Sequence, residues 1–190
     1  MGESLWLGYA KRYDYGKGEI LMKILITGGA GYIGSELIGY LIDKHQIFVV
    51  DSLLYDKTSL LRYVNHPNFH FEKADVRDHS VLEKYTKKCD VIIPLAALVG
   101  FPLCDKRPQE AIDVNYGACE WVAKNKSKDQ IVVYPCTNSG YGTSENGKII
   151  TEEDPLNPIS LYGKTKVDAE AIFRETENQT PFYKTKYDTN

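Results

Sequence analysis

The sequence predicts an α/β fold, a doubly wound parallel sheet with helices on both faces. Three observations carry that expectation. Short apolar runs rich in β-branched residues alternate five times with segments of helical period. A glycine-rich turn joins the first apolar run to the first helical segment, and an acidic residue ends the second run. Continuous rather than alternating apolar strands are what a sheet covered on both faces requires.

Taken in order, residues 1–21 have no clear period and contain four glycines and scattered aromatics before a second methionine, Met22. They are expected to form a disordered N-terminal extension. Ile24, Leu25 and Ile26 begin the organised part, a buried strand that ends at Thr27. Ile33, Leu37, Ile38, Leu41 and Ile42 recur at helical spacing over Ile33 to Lys44 and give that helix a face to lay on the sheet. Ile47 to Val50 is a second strand. A short helical stretch over Leu60 to Val64 precedes a third strand at Phe69, His70 and Phe71. His79 to Tyr85 predicts a helix and Val91 to Leu95 a fourth strand. Gln109 to Lys124 predicts one helix with Ala111, Ile112, Asn115, Cys119 and Val122 on a broad face, and Ile131 to Tyr134 a fifth strand. A Gly/Asn/Ser/Pro-rich stretch, 136–158, leads to a final helix from Leu161 to Glu175. The domain is expected to span 22–178, with 179–190 as a divergent tail.

Composition removes several function classes. With 23 basic and 26 acidic side chains the net charge is −3, and no Lys/Arg block offers the clustered positive surface that nucleic acid needs. The longest apolar runs fall far short of the ~20 residues of a membrane-spanning helix. Cys89, Cys104, Cys119 and Cys136 form no Cys-x-x-Cys pair, and no histidine stands at a ligand-like offset, so no metal site is expected. Without a secretory signal pattern the thiols are expected to be reduced and the protein cytoplasmic.

The chemistry-bearing motifs lie at the ends of the predicted strands. Thr27-Gly28-Gly29-Ala30-Gly31-Tyr32-Ile33-Gly34 places Gly28, Gly31 and Gly34 where a pyrophosphate site needs a tight turn, close backbone approach and close helix packing. Such a turn alone could be an ordinary strand-to-helix connection. Asp51, 23 positions after Gly28 at the end of the second strand, gives it meaning, because a carboxylate there can accept hydrogen bonds from an adenosine ribose. It would repel a 2′-phosphate, and the glycine loop holds no Arg or Lys, so NAD is favoured over NADP. In Tyr162-Gly163-Lys164-Thr165-Lys166 the tyrosine and Lys166 are four residues apart on one helix face. A nearby ammonium would favour the phenolate of a side chain whose free pKa is about 10. Thr137, just after the fifth strand, would bring a hydroxyl to the same rim of the sheet.

Together these residues resemble the extended short-chain dehydrogenase/reductase family, NAD-dependent epimerase/dehydratase type, and within it the nucleotide-sugar epimerases like UDP-glucose 4-epimerase. The likeness runs from Met22 to about Glu175. It also includes Ala74-Asp75-Val76-Arg77-Asp78, Leu95-Ala96-Ala97, Asp113-Val114-Asn115, Tyr141-Gly142 and Pro155-Leu156-Asn157-Pro158. The resemblance implies a Rossmann-like NAD-binding domain. It implies that Gly28, Gly31, Tyr32, Ile33, Gly34, Asp51, Asp75, Val76, Leu95, Ala96, Ala97, Asn115, Tyr162 and Lys166 contact the cofactor. Asp75 and Val76 would lie at the adenine and Lys166 at the nicotinamide ribose, with Tyr162 as acid/base, and Thr137 and Lys166 completing the catalytic set. It implies a nucleotide-sugar substrate and a homodimer formed through the helices around 109–124 and 161–175.

Sugar-nucleotide 4,6-dehydratases carry Asp-Glu after the hydroxyl residue, whereas this chain has Asn138 and Ser139, which favours epimerisation over dehydration. Family members carry a sugar-nucleotide region largely after the Tyr/Lys helix; here 24 residues follow Lys166, and 180–190 is polar and basic where an apolar sixth strand belongs. The expectation is a truncated or frame-shifted product whose substrate domain is largely missing. The competing readings are a non-catalytic dinucleotide-binding fragment and an NAD(P)-linked reductase or dehydratase of the same family.

Overall fold

The computed structural model describes residues 21–55, 58–143, 149–151 and 153–177. The expectations for residues 1–20 and 179–190 lie outside the described residues. Within them, five parallel strands run β1 (Lys23–Thr27), β2 (Gln46–Asp51), β3 (Phe69–Lys73), β4 (Val91–Pro94) and β5 (Ile131–Val132). Their order across the sheet is β3-β2-β1-β4-β5. Strands therefore add to one side of β1 and then to the other, and the crevice where this reversal occurs opens at the carboxyl ends of β1 and β4.

The predicted two-sided burial follows from strict alternation. Leu25, Phe48, Val50 and Ile92 point into one core, which α2 (His79–Thr86), α5 (Ala118–Asn125) and α6 (Leu161–Glu177) cover with Leu82, Tyr85, Val122, Ala169 and Phe173. Ile24, Ile26, Ile47, Val49, Val91 and Ile93 point into a second core under α1 (Tyr32–Leu41) and the 3₁₀ turn Leu61–Tyr63. Ile38 is fully buried there, but Ile33 is exposed, contrary to the helical-face expectation. It belongs to the first turn of α1, at the rim of the sheet beside the glycine turn, where no strand lies beneath it.

The single helix expected over 109–124 is three pieces. α4 (Pro108–Ile112) passes into a π-helical turn, Asp113–Gly117, and then into α5. One additional residue per turn rotates everything after it relative to a regular helix. Ile112 consequently stands 37% exposed, while Val114, Asn115, Ala118 and Cys119 are buried. A further short helix, α3 (Phe101–Lys106), precedes it. It follows Gly100 at φ 92° and carries a proline in its first turn. The fifth strand is shorter than expected, although the Val133 amide still donates to Ile92 O at 2.9 Å.

Candidate functional site at the carboxyl rim

The glycine turn is built by close contact with the strand across the crevice. Gly28 has φ 70°, and a Cβ placed on it would lie 2.5 Å from Ala96 N. Only glycine admits both the left-handed backbone and the approach. Leu95 N donates to Thr27 O at 3.0 Å and Ala96 N to Thr27 Oγ1 at 3.4 Å, so the segment Leu95, Ala96 and Ala97 continues β4 alongside the turn. A Cβ on Gly34 would sit 2.6 Å from Gly29 Cα, which is how α1 comes down onto the turn. Gly31 caps α1 without a side-chain hydrogen bond, and no acid occupies the first turn. Tyr32 and Ile33 are exposed there. The result is a helix N-terminus whose free N–H groups and positive dipole end face a narrow, side-chain-free cradle.

Asp51 closes this turn from β2. Its Oδ2 accepts from Ala30 N at 2.9 Å and its Oδ1 from Leu53 N at 2.7 Å, Leu53 itself having φ 55°. A carboxylate accepts at about four positions, so both oxygens retain capacity for ribose hydroxyls. Asp75 is engaged differently: Arg77 donates to it from both guanidinium and backbone and holds its carboxyl below the usual range. Val76 beside it is buried in the core. The side-chain oxygens of Asp75 thus serve the turn after β3, and Arg77 also reaches Glu110 at 3.6 Å.

Asn115, within the π turn, is 1% exposed and spends its amide on protein. It accepts from Leu98 N at 2.8 Å and donates to Leu98 O at 3.0 Å and Thr165 Oγ1 at 3.3 Å. Thr165 in turn donates to Tyr162 O at 3.0 Å. The loop after β4, the π turn and the first turn of α6 are therefore tied into one unit. Ser160 caps α6 through Gly163 N at 3.0 Å. A Cβ on Gly163 would come 2.9 Å from Ser139 O, so the segment after Thr137 packs directly on this helix.

That packing brings Thr137 and Tyr162 together. Thr137, extended at φ −140°, caps the 3₁₀ turn Asn138–Tyr141 by accepting from Ser139 N at 3.2 Å. Its hydroxyl acts on the Tyr162 phenol to lower its pKa, but burial, the larger effect, leaves that pKa raised. Lys166 is 5% exposed, and burial pulls its pKa down. Its Nζ lies 4.0 Å from the centre of the Tyr134 ring. The i, i+4 spacing puts Tyr162 and Lys166 on one helix face, and the ammonium lies over the Tyr134 ring, just after β5. Lys164, off that face, is exposed. A depression of about 510 Å³, lined by Thr86, Lys88, Asn125 and Gln130 among others, lies before β4 and β5, at the opposite end of the sheet.

Residues 24–185 match the model of the NAD dependent epimerase/dehydratase family. The chain belongs to that family. The match includes residues 179–185, part of the segment for which a divergent tail is expected. Among curated relatives, a UDP-glucose 4-epimerase of Lactobacillus helveticus is 32% identical over 161 residues, covering 80% of this chain and 46% of that protein. The low-salt glycan biosynthesis protein Agl12 of Haloferax volcanii is 32% identical over 177 residues, 83% of this chain and 53% of its own. A solved UDP-N-acetylglucosamine 4-epimerase from Methanobrevibacter ruminantium M1 superposes with a TM-score of 0.74 at 28% identity, over 83% of this chain and 51% of that one. A dTDP-glucose 4,6-dehydratase from Bacillus anthracis, crystallised in complex with NAD, gives 0.73 at 27% identity, over 84% and 51%. The chain thus spans about half the length of the relatives it matches. The fold of this NAD dependent epimerase/dehydratase family member is the Rossmann-like one expected, and no helix among the described residues is long and apolar enough to cross a membrane.

One contact is invisible in the sequence motifs: Tyr134 meets Lys166 only because β5 and α6 pack together, and no local signal marks it. Asn115 lies on the buried face expected for it, where its amide holds Leu98 and Thr165.

Proposed function

We propose that the chain carries the cofactor-binding and proton-transfer part of an NAD-dependent nucleotide-sugar epimerase, acting in the cytoplasm on a UDP-hexose at C4 and assembling as a homodimer. The observation that carries this reading is the Thr137–Tyr162 pair, held on the carboxyl side of the sheet and tied by Asn115 to the loop that continues β4 from the glycine cradle. The residues fit a dinucleotide: the cradle between Gly28, Gly34 and Ala96 admits no side chain, and the uncapped start of α1 donates N–H groups to a pyrophosphate. Asp51 is placed to accept ribose hydroxyls while rejecting a 2′-phosphate.

When bound, NAD would accept a hydride from the sugar carbon and return it. In this reading Tyr162 takes the proton of the sugar hydroxyl and later gives it back, while Thr137 holds that oxygen in line with the phenol. A raised phenol pKa keeps Tyr162 protonated until positive charge is brought near it. The buried Lys166 supplies such charge at the same end of α6. Asn138 and Ser139 give no carboxyl group for water elimination, which supports epimerisation over dehydration.

Purified protein should retain NAD and interconvert UDP-glucose and UDP-galactose, followed by NMR of the sugar anomeric signals, without consuming added cofactor. The competing reading is a dinucleotide-binding unit without turnover. NAD binding with no epimer formed on any UDP-hexose would establish that second reading, and absence of NAD binding would refute both.

A further inference from the structure

Lys166 is the most deeply buried cation in the site, and no carboxylate or hydrogen-bond acceptor pairs with its Nζ among the described residues. An ammonium taken out of water requires compensation. The groups around it are mostly uncharged at neutral pH. Cys119 faces it from α5 and Cys136 from the segment after β5, both with thiol pKa values raised by burial, while Glu170 on its own helix pairs with Arg174. The remaining neighbour is Tyr134. Its ring centre lies 4.0 Å from Nζ, inside the range for a cation–π contact, and its hydroxyl donates to Lys166 O at 3.2 Å. Phe173, two turns further along α6, packs against the Tyr134 ring with ring centroids 5.3 Å apart.

We propose that Tyr134 is a positioning residue that holds the Lys166 ammonium, charged and oriented, at the cofactor side of α6, through the face of its ring. This rests on the reading of Lys166 as a cofactor contact and adds to it the group that keeps the lysine in place. The hydroxyl of Tyr134 is secondary: it bonds a backbone carbonyl and does not touch the charge. The ring supplies an electrostatic partner in direct contact with Nζ that does not need to be ionised.

The test separates ring from hydroxyl and contact from stability. Tyr134→Phe keeps the π face and loses the hydroxyl; Tyr134→Leu loses both, and Tyr134→Met, whose flexible side chain fills irregular space, stands in if the leucine variant does not fold. NAD affinity is measured by isothermal titration calorimetry. The Lys166 ε-methylene signal, assigned by its loss in Lys166→Arg, is followed by carbon–proton NMR. In wild type and Tyr134→Phe the ring current should shift that signal upfield of the other lysines, with Kd values within about twofold of each other. In Tyr134→Leu or Tyr134→Met the signal should return to the common lysine position and Kd rise about tenfold, or ~1.4 kcal/mol. Unchanged affinity in the ringless variant, or equal loss in Tyr134→Phe, overturns the proposal. Wild-type protein that shows the upfield signal yet binds no NAD refutes the cofactor reading itself, an outcome distinguishable from the first.

Discussion

Replacing Gly34 with alanine sets two opposed effects against each other at one atom. Alanine in a helix is favoured over glycine by about 1 kcal/mol. Against this, the new Cβ would lie 2.6 Å from Gly29 Cα and 2.9 Å from Gly29 C and O, all backbone atoms of the turn that cannot rotate away. Overpacking of this kind costs about 1–3 kcal/mol, and with backbone as the obstacle the upper half of that range applies. The net expectation is a loss of ~1–2 kcal/mol. At ~2–4 °C per kcal/mol for a chain of this size, Tm falls by roughly 2–8 °C. The internal comparison is Gly117→Ala. Gly117 has φ −58°, and its Cβ would meet nothing closer than Ile112 O at 3.8 Å. That change should stabilise by ~0.5–1 kcal/mol. Urea unfolding followed by far-UV circular dichroism measures both, and an NAD titration on Gly34→Ala should show weakened binding because the cradle is displaced. If Gly34→Ala proves as stable as Gly117→Ala, helix packing on the turn is not what requires glycine, and the reasoning fails.

Three further expectations follow from the site and the core. Tyr162→Phe should lower epimerisation by ~10²-fold or more, the usual worth of a general acid/base, while NAD affinity changes by less than about twofold; equal loss of binding would contradict the assigned role. Asn115→Ala leaves the buried Leu98 amide without its partner, at ~1–3 kcal/mol, while Leu98 O keeps the Cys104 thiol at 3.3 Å, and denaturant midpoints should report the loss. Burial pushes the Cys89 thiol up to about 12, so the folded state holds a proton that the unfolded chain releases near its ordinary pKa of about 8.5. The stability from this group is complete below that lower value and is lost as pH rises toward 12, at ~1.4 kcal/mol per pH unit. Cys89→Ala should flatten the alkaline decline by that amount in urea titrations under reducing conditions, and parallel slopes would refute it.

β1, β2 and β4 were legible because each is a continuous apolar run whose neighbours change period, and the turn with Asp51 was legible because its parts are local in sequence. The π turn was not. Ile112 and Asn115 fit one helical face on paper; with the extra residue accommodated, Ile112 is left 37% exposed while Asn115 keeps to the inner face against Leu98. α3 was missed for a related reason: Phe101-Pro102 after a glycine reads as loop, yet proline is well tolerated in a first helical turn. At the site, Thr137 was placed at the rim by its position after the fifth strand, and its partnership with Tyr162 came from the family resemblance. The direction of the Lys166 ammonium depends on the Tyr134 ring, 32 residues away, and on burial that no local pattern encodes.

Asp51 binds the Ala30 and Leu53 amides with the same two oxygens it would offer to a ribose. In the proposed reading, cofactor preference and the shape of the phosphate cradle are therefore coupled through one side chain. An engineer who exchanges Asp51 for a small neutral residue, adding an arginine nearby to welcome a 2′-phosphate, also releases two amides that anchor the turn. The redesigned pocket would attract the new phosphate while loosening its grip on the pyrophosphate. Switching this scaffold toward NADP calls for replacement acceptors for Ala30 and Leu53 as much as for a new cation.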